Sequence, residues 1–200
     1  MNYLSLYHGI IRPINHDTLY KRELMTDTEV LKFAYLLAHF KQKSPSQLSI
    51  IDPATTDTIR RFHARNQEAS QYMREIFLSV PLILMPICDD VHWSLLYHRR
   101  GSNHWVHMDS LAPLHATFAQ KTLTQLRAMG LTASDKMITF IDMPRQRSNW
   151  ECGTFTLLYM LTVMLFDDAE IQHSIGILSE ERRQKLTQYI SDLTALADYR

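Results

Sequence analysis

Pro144-Arg145-Gln146-Arg147-Ser148-Asn149-Trp150-Glu151-Cys152-Gly153-Thr154-Phe155 leads into an uncharged run that continues to Phe166. From Thr154 to Phe166 this run is too short to span a bilayer and too apolar for a surface helix, so it predicts a buried central helix. Cys152 then falls on the first turn, where the helix dipole and unpaired N–H groups favour the thiolate, the nucleophilic form. Gly153 removes a side chain where a substrate carbonyl would approach the backbone. Gln146, six residues upstream, can set a side-chain N–H beside the Cys152 backbone N–H as a two-donor oxyanion hole. The competing reading is a structural Cys on a core helix, since free Cys is among the most buried residue types. What decides between them is whether the rest of the chain supplies a base.

A chain of 200 residues suits one domain with a full-sized core, or at most a domain plus a small extension, and residues 1–24 read as an N-terminal arm. A hydrophobic fraction of 46% and a charged fraction of 21% describe a soluble globular fold. Lys+Arg and Asp+Glu both total 21, so the strong basicity expected of a nucleic-acid binder is missing. Two Cys, at 88 and 152, cannot build a disulfide framework and fit a reducing compartment. Met1 to Tyr20 carries His8, Arg12, Pro13 and Asp17 without an apolar segment, so neither a signal peptide nor a membrane span is expected.

Thr26-Asp27-Thr28-Glu29 has capping-box spacing, and Val30, Phe33, Leu37 and Phe40 follow at three-four steps, predicting a helix that ends near Ser44-Pro45. Leu48 to Ile51 reads as a short strand. Asp52-Pro53 offers an N-cap and first-turn Pro for a second helix, whose stripe runs through Ile59, Phe62, Ala69, Met73 and Phe77 with Arg60, Arg61 and Arg65 facing out. Val80 to Ile87 is a buried strand bounded by Pro. His92 to His98 and His104 to Asp109 are hairpin partners around a turn at Arg99-Arg100-Gly101-Ser102-Asn103. Pro113 to Met129 reads as a helix stopped by Gly130, Met137 to Ile141 as a further strand, and Ser179 as the cap of a last helix carrying Leu186, Ile190, Leu193 and Ala197. Helices, a meandering sheet and then helices make an α+β fold.

A Cys nucleophile needs a proton acceptor, usually His, and that His needs an orienting carboxylate or amide. Ten His compete for the role. His92 opens one strand and Asp109 closes the next, so a hairpin at Gly101 brings them to one end of the sheet. The strand before Gln146 can deliver Cys152 there too. His92 is therefore the expected base and Asp109 the acceptor of its other ring N–H. His107 is held in reserve, and His104, at the turn end, is a weaker candidate. Cys88, His92, His104 and His107 contain no close CxxC or HxxxH pair, and His104 to His107 alternates across strand faces, so no metal is expected. Arg99-Arg100, and Arg145 with Arg147, read as solvated turns.

His92-Trp93-Ser94-Leu95, Met108-Asp109-Ser110-Leu111 and Gln146…Glu151-Cys152-Gly153 resemble the catalytic blocks of the Ulp/SENP-type (clan CE) cysteine peptidases, in catalytic order and in the step from Gln to Cys. The resemblance spans about Leu24 to Phe166. It implies a papain-like (Ulp/adenain-type) fold with a central mixed sheet flanked by helices. It also implies a thiol protease that cuts after the C-terminal Gly-Gly of ubiquitin, SUMO or NEDD8, as a monomer without a cofactor. Trp93 would roof the tunnel for that Gly-Gly, its plainer reading being a core Trp. Leu24 stands where the family's first tunnel Trp would be, and Trp150 joins these two as a substrate-binding candidate. Glu151 replaces the usual Asp before the nucleophile. A cytoplasmic site is expected, either in the cell of origin or, as for related bacterial effectors, in a host.

Gln146-Arg147-Ser148…Glu151-Cys152-Gly153-Thr154-Phe155 is also similar to the nucleophile block of the YopJ-type acetyltransferases, which load the Cys from acetyl-CoA and require inositol hexakisphosphate. That family carries Glu and Phe where Asp109 and Trp93 stand, and no concentrated basic patch is visible here. Both chemistries pass through a thioester, so the acceptor, water or hydroxyl, separates them. A third possibility is an inactive module that only holds a modifier, against which the complete His92, Asp109, Gln146 and Cys152 set argues.

Overall fold

Thr26 starts the first helix by the expected device. Its hydroxyl accepts from the Glu29 N–H at 3.3 Å while its own N–H donates to Glu29 Oε2 at 2.7 Å, so two otherwise orphaned donors are satisfied. The computed structural model describes residues 23–61, 71–89, 91–140 and 145–174, with positions 188 and 192. The elements are α1 (Asp27–Phe40), β1 (Leu48–Ile50), α2 (Pro53–Arg61), α3 (Gln71–Ser79), β2 (Leu82–Cys88), β3 (Trp93–Arg99), β4 (Trp105–Met108), α4 (Ala116–Ala128), β5 (Met137–Phe140), α5 (Cys152–Leu165) and α6 (Asp168–Ser174). Most of the expected arm, the Phe62–Ala69 part of the second stripe, and the last helix from Ser179 except for the helical positions 188 and 192 lie outside the described residues.

The strands form one sheet in the order β1-β2-β3-β4-β5. The inner pairs are antiparallel, but β1 pairs parallel with β2, and β4 parallel with β5, so the sheet is mixed and not a plain meander. Parallel neighbours need a crossover. One is supplied between β1 and β2 by α2 and α3, and the other between β4 and β5 by α4. Leu82, Leu84, Trp93, Leu95, Tyr97, Val106 and Met108 face a core shared with α1 and α5. Ile83, Met85, Ile87, Leu96 and Trp105 face a second core against α2, α3 and α4. Burial on both faces explains why β2 and β3 read as continuous apolar runs.

Helix ends follow their caps. Gly130, at φ +68°, ends α4 with a Schellman pair, its N–H reaching Arg127 O while Leu131 N–H reaches Leu126 O, both at 2.9 Å. That helix starts at Ala116, because Pro113 to His115 form a turn. α1 stops at Phe40, before the expected Ser44-Pro45, where Gln42 takes a left-handed φ of 54°. α5 contains Cys152 through Leu165 and is buried on nearly every side, as its composition requires. Among the described residues no helix is long and apolar enough to cross a membrane.

Candidate active site

Register fixes where the chemistry gathers. Cys88 pairs with Trp93, Leu95 with Met108, and Met108 with Phe140. The start of β3 and the ends of β4 and β5 therefore share one edge of the sheet. His92, Asp109 and the chain that returns to Cys152 all emerge there. Because β5 runs parallel to β4, it exits beside Asp109 and not at the Gly101 turn.

His92 Nε2 lies 2.7 Å from Asp109 Oδ1, with both residues almost fully buried. Asp109 Oδ1 also accepts the Leu111 N–H and Oδ2 the His115 N–H, each at 2.9 Å. Burial pushes the Asp109 carboxyl up, but the hydrogen bonds from His92, His115 and Leu111 outweigh it and hold the group at about 2. For His92 burial favours the neutral ring. Hydrogen bonds and charge from Asp109 and Cys152 prevail and raise the imidazole to about 9. Cys152 therefore stands near enough to His92, on the first turn of α5, to favour the charged imidazole. With Nε2 committed to Asp109, Nδ1 is the nitrogen left for the sulfur.

Gln146 is clamped in place. Its backbone N–H donates to Ser110 O at 3.3 Å, Ser110 Oγ donates to its Oε1 at 2.5 Å, and its Nε2 donates to Ser148 O at 2.6 Å. One Nε2 proton remains after that bond. Glu151, expected only as a departure from an Asp pattern, has a role here. Its buried carboxylate accepts the Arg147 and Ser148 N–H groups at 2.9 and 3.0 Å, closing the turn just before the nucleophile. An anion at that point also faces the positive end of α5.

Gly153 does not face an open approach for substrate. A Cβ built there would meet Met25 Sδ at 2.7 Å, Cγ at 2.8 Å and Cβ at 2.9 Å, so the glycine makes room for Met25. Met25 is held from behind, its carbonyl accepting the Trp93 indole N–H at 2.9 Å. Trp93 is 1% exposed in this structure and packs in the core shared with α5. Leu24 is 39% exposed and Trp150 half-buried.

His107 does not serve as a second base. It is buried, its Nε2 lies 3.1 Å from Ser94 Oγ, and burial lowers it to about 4. His104 sits at the turn end with Ser102 and Asn103. Arg99 is not a solvated turn residue, because it donates to Asp168 Oδ1 and to Val163 O, each at 2.7 Å, and to Phe166 O. Among the described residues no group of three His, Cys, Asp or Glu side chains could hold a metal. Sequence reasoning missed Ser110, Asp89 and His115. Of these only Asp89 left a local signal, standing three residues before His92 at the spacing of a side chain that caps a turn.

A sequence profile of the Ulp1 protease family, C-terminal catalytic domain, matches residues 14–198. No curated protein matches in sequence. Among solved structures, the chain is similar to the yeast Ulp1 protease domain in complex with Smt3, the yeast ortholog of SUMO. The TM-score is 0.63 at 12% identity, over 99% of this chain and 96% of that one. It is similar to the catalytic domain of a Chaetomium thermophilum Ulp1-like SUMO protease, with a TM-score of 0.59 at 18% identity over 94% of this chain and 74% of that one. It is also similar to the Xanthomonas campestris effector XopD bound to ubiquitin, with a TM-score of 0.61 at 18% identity over 93% and 94%. At such identities these likenesses establish the fold.

Proposed function

This chain belongs to the Ulp1 protease family, and from that premise we propose that it is an isopeptidase that releases ubiquitin or a ubiquitin-like protein after its C-terminal Gly-Gly. Residues 1–200 act as a single catalytic domain, with Cys152 as nucleophile, His92 as proton carrier and Asp109 as its orienting carboxylate. The observation that carries the reading is His92 held between a buried carboxylate at 2.7 Å and the first residue of a buried helix, which is a cysteine.

The Cys152 thiolate attacks the carbonyl carbon of the modifier's terminal Gly. The negative charge that develops on oxygen is met by the Cys152 N–H and the remaining Gln146 Nε2 proton. Ser110 and Ser148 hold that amide, so little reorganisation accompanies charge development. His92 gives its proton to the departing lysine amine, leaving a thioester, then takes a proton from water as the water attacks it. Asp109 keeps Nδ1 directed at the sulfur throughout. Leu24, which is exposed, and Trp150, which is half-buried, remain the candidates for contact with the modifier's tail, and Trp93 holds Met25, which packs on Gly153 next to the nucleophile. On this reading the enzyme works in a cytosol containing conjugated modifier, its own or that of a host.

Hydrolysis of fluorogenic C-terminal amides of ubiquitin, SUMO and NEDD8 tests the reading, with labelled acetyl-CoA in a parallel arm. Release of fluorophore from at least one modifier, absent in Cys152→Ala, is expected. Acetyl loading of Cys152 without hydrolysis would replace the peptidase by a transferase, and tight modifier binding with neither reaction would leave a binding module.

A further inference from the structure

Behind His92 lies a second carboxylate–imidazole pair that the peptidase mechanism does not use. Asp89 Oδ1 accepts the backbone N–H of His92 at 2.9 Å and that of Val91 at 3.2 Å, while its Oδ2 lies 3.0 Å from His115 Nε2. The fully buried His115 ring stands edge-on to the His92 ring, with centroids 4.6 Å apart. The His115 backbone N–H donates to Asp109 Oδ2 at 2.9 Å. Two residues therefore grip both members of the His92–Asp109 pair, Asp89 through the backbone of His92 and His115 through ring contact and the second oxygen of Asp109.

The polar chain continues inward. Ser94 Oγ is 3.1 Å from His115 Nδ1 and 3.1 Å from His107 Nε2. One arrangement of protons satisfies these contacts with both rings neutral. His107 Nε2–H donates to Ser94, the Ser94 hydroxyl donates to His115 Nδ1, and His115 Nε2–H faces Asp89. Protonating His115 breaks this arrangement, because Nδ1 then carries a proton of its own against Ser94. It also sets a second cation beside the His92 imidazolium. The groups facing His115 are His92, Asp89, the Asp109 carboxylate, Ser94 with His107 behind it, and the Phe118 ring at 5.2 Å, over which the Arg60 guanidinium lies at 4.6 Å. Burial, with the charge of His92, lowers the pKa of His115 despite Asp89, and so favours the neutral form.

We propose that Asp89 and His115 are positioning residues for the reacting pair, and that they hold His92 on Cys152 only while His115 is neutral. The inference rests on reading His92 and Cys152 as that pair, so its test avoids any modifier substrate. The rate of Cys152 alkylation by iodoacetamide is followed by mass spectrometry of the Cys152 peptide from about pH 5 to about pH 9, across the range where His titrates. Thermal unfolding confirms that each variant is folded. His115→Leu and Asp89→Asn should each slow alkylation at neutral pH by about tenfold or more, since small displacements of a reacting group are costly. His115→Gln keeps a polar group facing Asp89 but cannot titrate, so it should keep most of the rate and lose part of the acid-side decline. Wild-type rates and pH profiles in folded His115→Leu and Asp89→Asn would overturn the proposal. An unchanged acid-side decline in His115→Gln would overturn its requirement for neutrality. If His115→Leu does not fold, Asp89→Asn decides. Failure to cleave any modifier amide would remove the substrate assignment while leaving this result standing.

Discussion

His92 is the residue whose charge the site is built to control. Burial alone would make it neutral, but Asp109 and Cys152 overcome that and raise it to about 9. Because its folded value lies above 6.5, its stabilising contribution is complete below about pH 6.5 and is lost as pH rises through about 9. The pH profile of kcat/KM should show an alkaline limb near 9 in wild type, and Asp109→Asn should move that limb downward by removing the anion. A limb unmoved in Asp109→Asn would show that the carboxylate does not set the His92 charge. Cys152→Ala and His92→Ala should abolish turnover while leaving the fold. Asp109→Asn should lose less, on the order of 10⁴-fold against 10⁶-fold for the nucleophile or base. Steady-state kinetics with circular dichroism on each variant checks this. That His92, Asp109 and Cys152 would meet at one end of the sheet was legible in the sequence, because strand ends and a helix start are local features. The contacts of Asp89 and His115 were not, since they join a loop, a turn and β3 that only folding brings together.

At the scale of elements, caps were readable and long-range packing was not. The Thr26 capping box and the Gly130 stop stand as their spacing predicted. α6 was missed although Asp167 and Glu170 exchange backbone bonds at 2.8 Å at capping-box spacing. The signal sits immediately after the apolar run, and the helix it starts is short, Asp168–Ser174. Arg99 could not be read, since its partners Val163, Phe166 and Asp168 lie more than 60 residues away. It satisfies carbonyls at the C-terminal end of α5, so Arg99→Ala should lower stability by about 1–3 kcal/mol in urea unfolding. Gly153 gives a sharper test. Gly153→Ala should destabilise by about 1–3 kcal/mol through overpacking on Met25, despite the better helix propensity of Ala. Adding Met25→Ala should recover part of that loss in a double-mutant cycle. Strict additivity would contradict the contact.

For the molecule as a whole, the sequence announced α+β order and one end of the sheet as the place of chemistry. The strand patterns alone did not announce which pairs run parallel, because alternation within a strand says nothing about the direction of its neighbour, and the mixed sheet was expected only from the family resemblance. That pairing of β5 with β4 is what returns the chain to Asp109 and lets α5 begin beside His92. Two-sided burial of the sheet has an acid cost. His107, held near 4, is neutral when folded but takes up a proton near 6.5 when unfolded, so its contribution is present above about pH 6.5 and lost as pH falls towards 4. Urea midpoints should fall across that window in wild type and more gently in His107→Gln. A profile with the same slope in both would remove His107 from the cause. The assembly of sheet edge and buried helix as a reacting centre is tested most directly by mapping the adduct formed with a ubiquitin or SUMO carrying an electrophile at its C-terminus. The expected result is a single covalent bond to Cys152, lost in Cys152→Ala and strongly slowed in His92→Ala. An adduct on Cys88, or capture undiminished in His92→Ala, would contradict it.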